Sequence, residues 1–131
     1  MTAPKVLISD KMDPRAAAIF KERGIDVDVI TGKTKEELIA IIGDYDGLAI
    51  RSATKVTADV LAAATNLKVV GRAGIGVDNV DIPEASKKGV IVMNTPFGNS
   101  ITTAEHAIAM MFALARQIPE ANAGTQAGKW P

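Results

Sequence analysis

Arg51 and Arg72 each follow directly on a short apolar run, Leu48-Ala49-Ile50 and Val69-Val70-Gly71, and each opens a loop of small and polar residues. Two guanidiniums held side by side repel unless an anion lies between them, and a carboxylate or phosphate matches their bidentate fork. The second loop, Arg72-Ala73-Gly74-Ile75-Gly76-Val77-Asp78-Asn79, adds a Gly-x-Gly step where backbone N–H groups can approach a ligand closely. Ser52 and Asn99 can supply neutral hydrogen bonds. This set points to a pocket for a small, doubly anionic molecule. The competing arrangement leaves both arginines in solvent or pairs them with Asp10 and Asp78.

Other chemistries lack their residues. The 131 residues include no cysteine, which removes disulfides, iron–sulfur clusters, thiolate zinc sites and cysteine nucleophiles. A single histidine, His106, is too few for a histidine-rich metal site, so no metal is expected. His106 and Glu105 are adjacent on a helix and point about 100° apart, while Ser100 and His106 face different directions, so neither pair builds a catalytic group. His106 reads as a structural or interface residue. Gly71-x-x-Gly74-x-Gly76 is not G-x-G-x-x-G, and a P-loop is absent. The loop after the first apolar run lacks the Ser/Thr-rich turn of a flavin site. Arg51 stands where a phosphate-receiver domain needs an aspartate.

Fifteen basic residues balance fifteen acidic ones, so the formal charge is zero, which argues against nucleic acid or an anionic membrane surface as partner. The apolar fraction of 47% fits a folded domain. The longest uncharged apolar run, Ala107 to Ala115, falls far short of the ~20 residues that span a bilayer. No signal peptide opens the chain, and the expected location is the cytoplasm.

The elements that must hold the arginines alternate. Strands are expected at Lys5–Ser9, Asp26–Ile30 (alternating, hence an edge), Asp46–Ile50, Leu67–Gly71 and Val90–Met93. Helices are expected between them. One opens at Asp13-Pro14 and stops at Gly24, one at a Thr34–Glu37 capping box, one at Thr57 and one at an Asp81–Glu84 box. Ser100 caps a long helix to about Gln117, ended by Pro119, and Glu120–Pro131 reads as a linker or frayed end in which Trp130 is a packing anchor. Strict alternation implies a parallel sheet with helices on both faces, here a flavodoxin-like five-stranded α/β fold of order 2-1-3-4-5. In such a sheet, ligands bind beyond the carboxyl ends of the strands, where both arginines fall.

The helix from Ser100 is apolar nearly all round through Ile101, Ala104, Ile108, Met110, Met111, Phe112 and Leu114. A helix covering a small sheet needs only one apolar stripe. A partner chain or a further domain is the expected cover, the other arrangement being a central core helix, and a homodimer through residues 100–118 is expected.

On the segments KVLISD (5–10), LAIRSATKVT (48–57), VVGRAGIGVDNVDI (69–82), VMNTPFGNS (92–100) and AEHAIAMMFALARQIP (104–119), the chain resembles the N-terminal portion of the D-2-hydroxyacid dehydrogenases. RSATKVT and NTPFGNS resemble their phosphoglycerate branch. The resemblance implies a two-domain enzyme that oxidises 3-phosphoglycerate, or a similar small anion, with NAD in serine biosynthesis. It implies that residues 1–99 form the substrate-binding domain, that 100–118 cross into the nucleotide-binding domain, and that 119–131 are linker. Arg51 and Arg72 would hold the phosphate with Ser52 and Asn99. Ala73, Gly74 and Ile75 would face the carboxylate, and Ile75 and Thr103 would touch NAD. The dinucleotide fingerprint and the family's catalytic Arg, Glu and His are not among these 131 residues, so no catalytic residue is assigned and the isolated chain is expected to be inactive. The alternative is a non-catalytic flavodoxin-like module that binds a small anion or self-associates through its exposed helix.

Overall fold

The computed structural model describes residues 3–129. Five strands form one parallel sheet in the order β2-β1-β3-β4-β5: β1 Lys5–Ile8, β2 Asp26–Val29, β3 Gly47–Ile50, β4 Val69–Arg72 and β5 Ile91–Met93. The expected order is the observed one. Helices α1 (Arg15–Glu22), α2 (Lys35–Ile41), α3 (Ala58–Ala63) and α4 (Ile82–Lys87) link them, with a 3-10 turn at Ile42–Asp44 before β3. The chain divides into two compact units, Met1–Gly98 and Asn99–Pro131.

Period-2 alternation explains the core of the first unit. Leu7, Leu48 and Val70 are register partners across β1, β3 and β4, so they share one face. That face joins Ile50 with Leu38 of α2, Ile42 of the 3-10 turn, and Val60 and Leu61 of α3 in a single buried cluster. Burying each such side chain is worth roughly 1.5–3 kcal/mol. The opposite face carries Val6, Ile8, Ala49, Gly71 and Met93, and a cleft of about 280 Å³ runs between its strands, Met12 of the preceding loop, and Ala16 and Phe20 of α1.

Local signals place most helix starts. Thr34 and Glu37 form both halves of a capping box at α2. Asp81 supplies one half at α4, accepting the N–H of Glu84. Asp13 accepts the N–H of Arg15 through its carboxylate, though the residue directly before α1 is Pro14. Two expected caps are absent. Thr57 makes no capping bond, and Ser100 is already helical while Asn99 precedes it without a side-chain cap.

The second unit departs most from expectation. A single long helix followed by a frayed end is not what forms. Two helices, α5 (Ser100–Ala115) and α6 (Ile118–Gln126), meet at Gln117, whose φ of 49° is left-handed. Pro119 opens α6 instead of closing α5. A proline is tolerated in a first turn, where its missing N–H has no partner to lose. Trp130 lies outside the described residues. Among the described residues, no helix is long and apolar enough to cross a membrane.

Candidate functional site

The carboxyl edge of the sheet gathers four loops, and side chains lace them together. Arg72 is the last residue of β4, not the first of its loop, and pairs in register with Ile50. Arg51 therefore leaves the sheet one residue beyond the neighbour of Arg72, and the two arginines stand at adjacent strand ends.

Their guanidiniums have different partners. Arg51 is exposed and donates through Nη1 to the Lys11 carbonyl at 3.1 Å. The Arg72 side chain is only 12% exposed. It donates through Nε to the Arg51 carbonyl at 3.2 Å and through Nη1 to the Gly76 carbonyl, and Nη2 lies 3.8 Å from Asp78 Oδ1. The Asp78 side chain is 85% exposed, so this pair is worth less than about 1 kcal/mol. The expectation that Asp78 partners Arg72 is thus met weakly. The expectation that Asp10 pairs with an arginine side chain is not, because Asp10 is occupied elsewhere.

The glycines have a second role that their spacing did not reveal. A Cβ on Gly74 would lie 3.1 Å from Arg72 Nη1, and one on Gly76 would lie 3.2 Å from the same atom and 2.8 Å from Asp78 Oδ1. Gly74 and Gly76 form the seat of the Arg72 guanidinium. Side-chain-free backbone here admits the arginine itself, whether or not it also admits a ligand.

Sequence reasoning missed a polar brace around the Arg51 loop. Asp10, 5% exposed, accepts the N–H of Arg51 at 2.6 Å, the N–H of Thr54 at 3.0 Å and the Thr54 hydroxyl at 2.5 Å. The Thr54 hydroxyl has one proton, so Ser9 Oγ, 2.9 Å away, donates to it. Burial pushes the Asp10 carboxyl up, but the Thr54 hydroxyl and the N–H groups of Thr54, Arg51 and Ala53 outweigh it and hold the carboxyl below its ordinary value. Asn79 Nδ2 donates to the carbonyls of Arg51 and Thr54, each at 2.7 Å. A parallel bridge between Val56 and Val80 ties the same two loops further along. The available signal is an aspartate two residues after β1, in the loop that leaves the same edge.

The remaining candidates are distributed as follows. Ser52 lines a cleft of about 420 Å³ with Lys55, Thr57, Asp78, Asn79 and Asp81. Ala73 donates its N–H to the Ile50 carbonyl at 2.8 Å, extending the β3–β4 ladder. The Gly74 carbonyl accepts the Thr95 N–H at 2.9 Å and the Ile75 carbonyl accepts Asn94 Nδ2 at 2.7 Å, so the loop after β5 fixes the Gly74–Ile75 step. Ile75 is 43% exposed. Asn99 and Thr103 belong to the second unit, where the Asn99 carbonyl accepts the Thr103 N–H at 2.9 Å.

The fold and this edge define a doubly wound α/β domain whose strand ends present cationic and amide donors. The chain belongs to the D-isomer specific 2-hydroxyacid dehydrogenases, whose catalytic-domain model matches residues 6–127. It is 56% identical over 126 residues to the D-3-phosphoglycerate dehydrogenase of Rattus norvegicus, covering 96% of this chain and 24% of that protein. It is 48% identical to the D-3-phosphoglycerate dehydrogenase of Archaeoglobus fulgidus, again over 96% of this chain and 24% of that protein. The NAD+-bound 3-phosphoglycerate dehydrogenase of Entamoeba histolytica superposes with a TM-score of 0.77 at 32% identity, covering 85% of this chain and 39% of that one. The chain thus spans about a quarter of the length of the curated relatives it matches.

Proposed function

We propose that this chain is the substrate-binding portion of an NAD-dependent D-3-phosphoglycerate dehydrogenase, which oxidises the hydroxyl-bearing carbon of 3-phosphoglycerate to give 3-phosphohydroxypyruvate. The observation that carries the reading is the pair Arg51 and Arg72 at adjacent strand ends, in a chain 56% identical to a relative of that name. Arg51, Arg72 and Ser52 receive the phosphate, and the backbone at Ala73, Gly74 and Ile75 faces the carboxylate. A guanidinium suits a phosphate because its planar fork donates two parallel hydrogen bonds.

NAD bound by the whole enzyme would supply the hydride acceptor. These 131 residues contain no G-x-G-x-x-G turn, so they do not by themselves form a dinucleotide site. Ile75 is the side chain of the first unit that would touch the cofactor. The isolated chain binds substrate without turning it over. A nucleotide-binding domain is its partner within the enzyme, in a cytoplasmic setting.

A homodimer through residues 100–118 is part of the same reading. Phe112 is 63% exposed and Leu114 83% exposed on α5, among other large apolar side chains. Apolar exposure of that extent supports a protein–protein contact.

Calorimetric titration of the chain with 3-phosphoglycerate tests the reading. The wild type binds and the Arg51→Ala/Arg72→Ala variant does not. Equal binding by both, or no heat from the wild type at millimolar ligand, would overturn it.

A further inference from the structure

The Arg51–Thr54 segment lies outside every helix and strand, yet its backbone is held at both ends by two side chains to which the functional reading gives no role. Asp10 takes the N–H groups of Arg51 and Thr54. Asn79 gives its two amide protons to the carbonyls of the same two residues, each at 2.7 Å. The donors and acceptors at each end are therefore engaged by one acid from the β1 loop and one amide from the β4 loop. The orientation of Asn79 is fixed by this pairing, because the flipped amide would set its oxygen against two carbonyls. The amide oxygen itself, Asn79 Oδ1, is buried and has no partner among the described residues. Leaving a buried acceptor unpaired is unfavourable. It persists here on a side chain whose amide is committed to the loop.

Neither side chain adds apolar burial to the core. Both act on a segment whose middle residues, Ser52 and Ala53, are exposed. Arg72 reinforces the arrangement by donating to the Arg51 carbonyl that Asn79 also holds. One carbonyl thus receives a donor from each end of the β4 loop.

We infer that Asp10 and Asn79 are positioning residues: they fix the Arg51–Thr54 backbone so that the Arg51 guanidinium and the Ser52 hydroxyl meet the anionic end of a phosphorylated carboxylate. The inference rests on the substrate-binding reading given above. A loop held this way loses no further backbone freedom on binding, so the hold is expressed as affinity.

A double-mutant cycle on the 131-residue chain tests this, with 3-phosphoglycerate affinity as readout and far-UV circular dichroism as the check on folding. Asn79→Ala lowers affinity about tenfold in the wild-type background. In an Arg51→Ala background the same change costs clearly less, about two- to threefold, because the guanidinium it positions is gone and only the Ser52 hydroxyl remains to be held. A merely structural role for Asn79 gives the same loss in both backgrounds and overturns the inference, as does an unchanged affinity. If Asn79→Ala does not fold, Asp10→Asn replaces it in the same cycle, acting on the N–H side of the loop. Absence of binding by the wild type overturns the substrate reading, and the inference with it, before any variant is measured. Binding with additive losses overturns the inference alone.

Discussion

Arg72 donates through Nε to the carbonyl oxygen of Arg51 across 3.2 Å, so the arginine at the end of β4 supports the backbone of the arginine beyond β3. The same guanidinium keeps Nη2 free of hydrogen bonds shorter than 3.5 Å among the described residues, its nearest acid being Asp78 at 3.8 Å. One side chain therefore braces the loop and retains donors for an anion. Arg72→Ala should weaken 3-phosphoglycerate binding by about 1.5–3 kcal/mol, the scale of a charge-assisted hydrogen bond, and wild-type binding should weaken as salt rises. Calorimetry at two ionic strengths checks both. An affinity unchanged by the substitution would place the pocket elsewhere.

Gly76→Ala should act through Arg72. Its Cβ would fall 2.8 Å from Asp78 Oδ1 and 3.2 Å from Arg72 Nη1, while both side chains can move. The fold should survive and affinity for 3-phosphoglycerate should drop about tenfold. Gly71→Ala is the control, since a Cβ there meets no atom within 4 Å. Loss of binding in the control but not in Gly76→Ala would contradict the assignment.

Asp10 should govern the acid limb of stability. Its carboxyl is held below its ordinary value in the folded chain, despite burial, by the Thr54 hydroxyl and three backbone N–H groups. A carboxyl depressed on folding stabilises at pH above its unfolded value of about 3.9, and that contribution is lost as pH falls through the folded value. Asp10→Asn should be less stable than wild type at pH 7, and the gap should narrow between about pH 5 and pH 2. Urea unfolding across that range measures it. Parallel curves at all pH values would show that Asp10 carries no such linkage.

The second unit should drive association. Met111, Phe112 and Leu114 are all more than half exposed on α5. Sedimentation should find a dimer for the wild type and a monomer for Phe112→Glu, because a buried unpaired carboxylate is unfavourable at an apolar contact. A wild-type monomer at high concentration would remove the dimer from the account.

Much of this was legible in the residues. Short β-branched runs alternating with capped helices dictated the strand order, since right-handed crossovers leave few alternatives. The capping box at Thr34–Glu37 was readable because it is local. What escaped was long-range or two-faced. Asp10 and Asn79 are far apart in sequence and converge on the Arg51–Thr54 loop only because β1 and β4 flank β3. Gly74 and Gly76 read as ligand-facing, yet they make room for Arg72, which only the fold sets beside them. The stretch that forms α6 reads as a linker or frayed end because Pro119 is both a stop signal and a first-turn residue, and the sequence pattern alone does not separate the two.

The most direct test of substrate recognition at this edge is residue-by-residue mapping. Amide and arginine Nε–Hε signals of the 15N-labelled chain are followed by NMR during titration with 3-phosphoglycerate. The account predicts shifts concentrated at Arg51, Ser52, Arg72 and the Ala73–Ile75 backbone. Shifts centred on the amino ends of the strands, or none at saturating ligand, would contradict it.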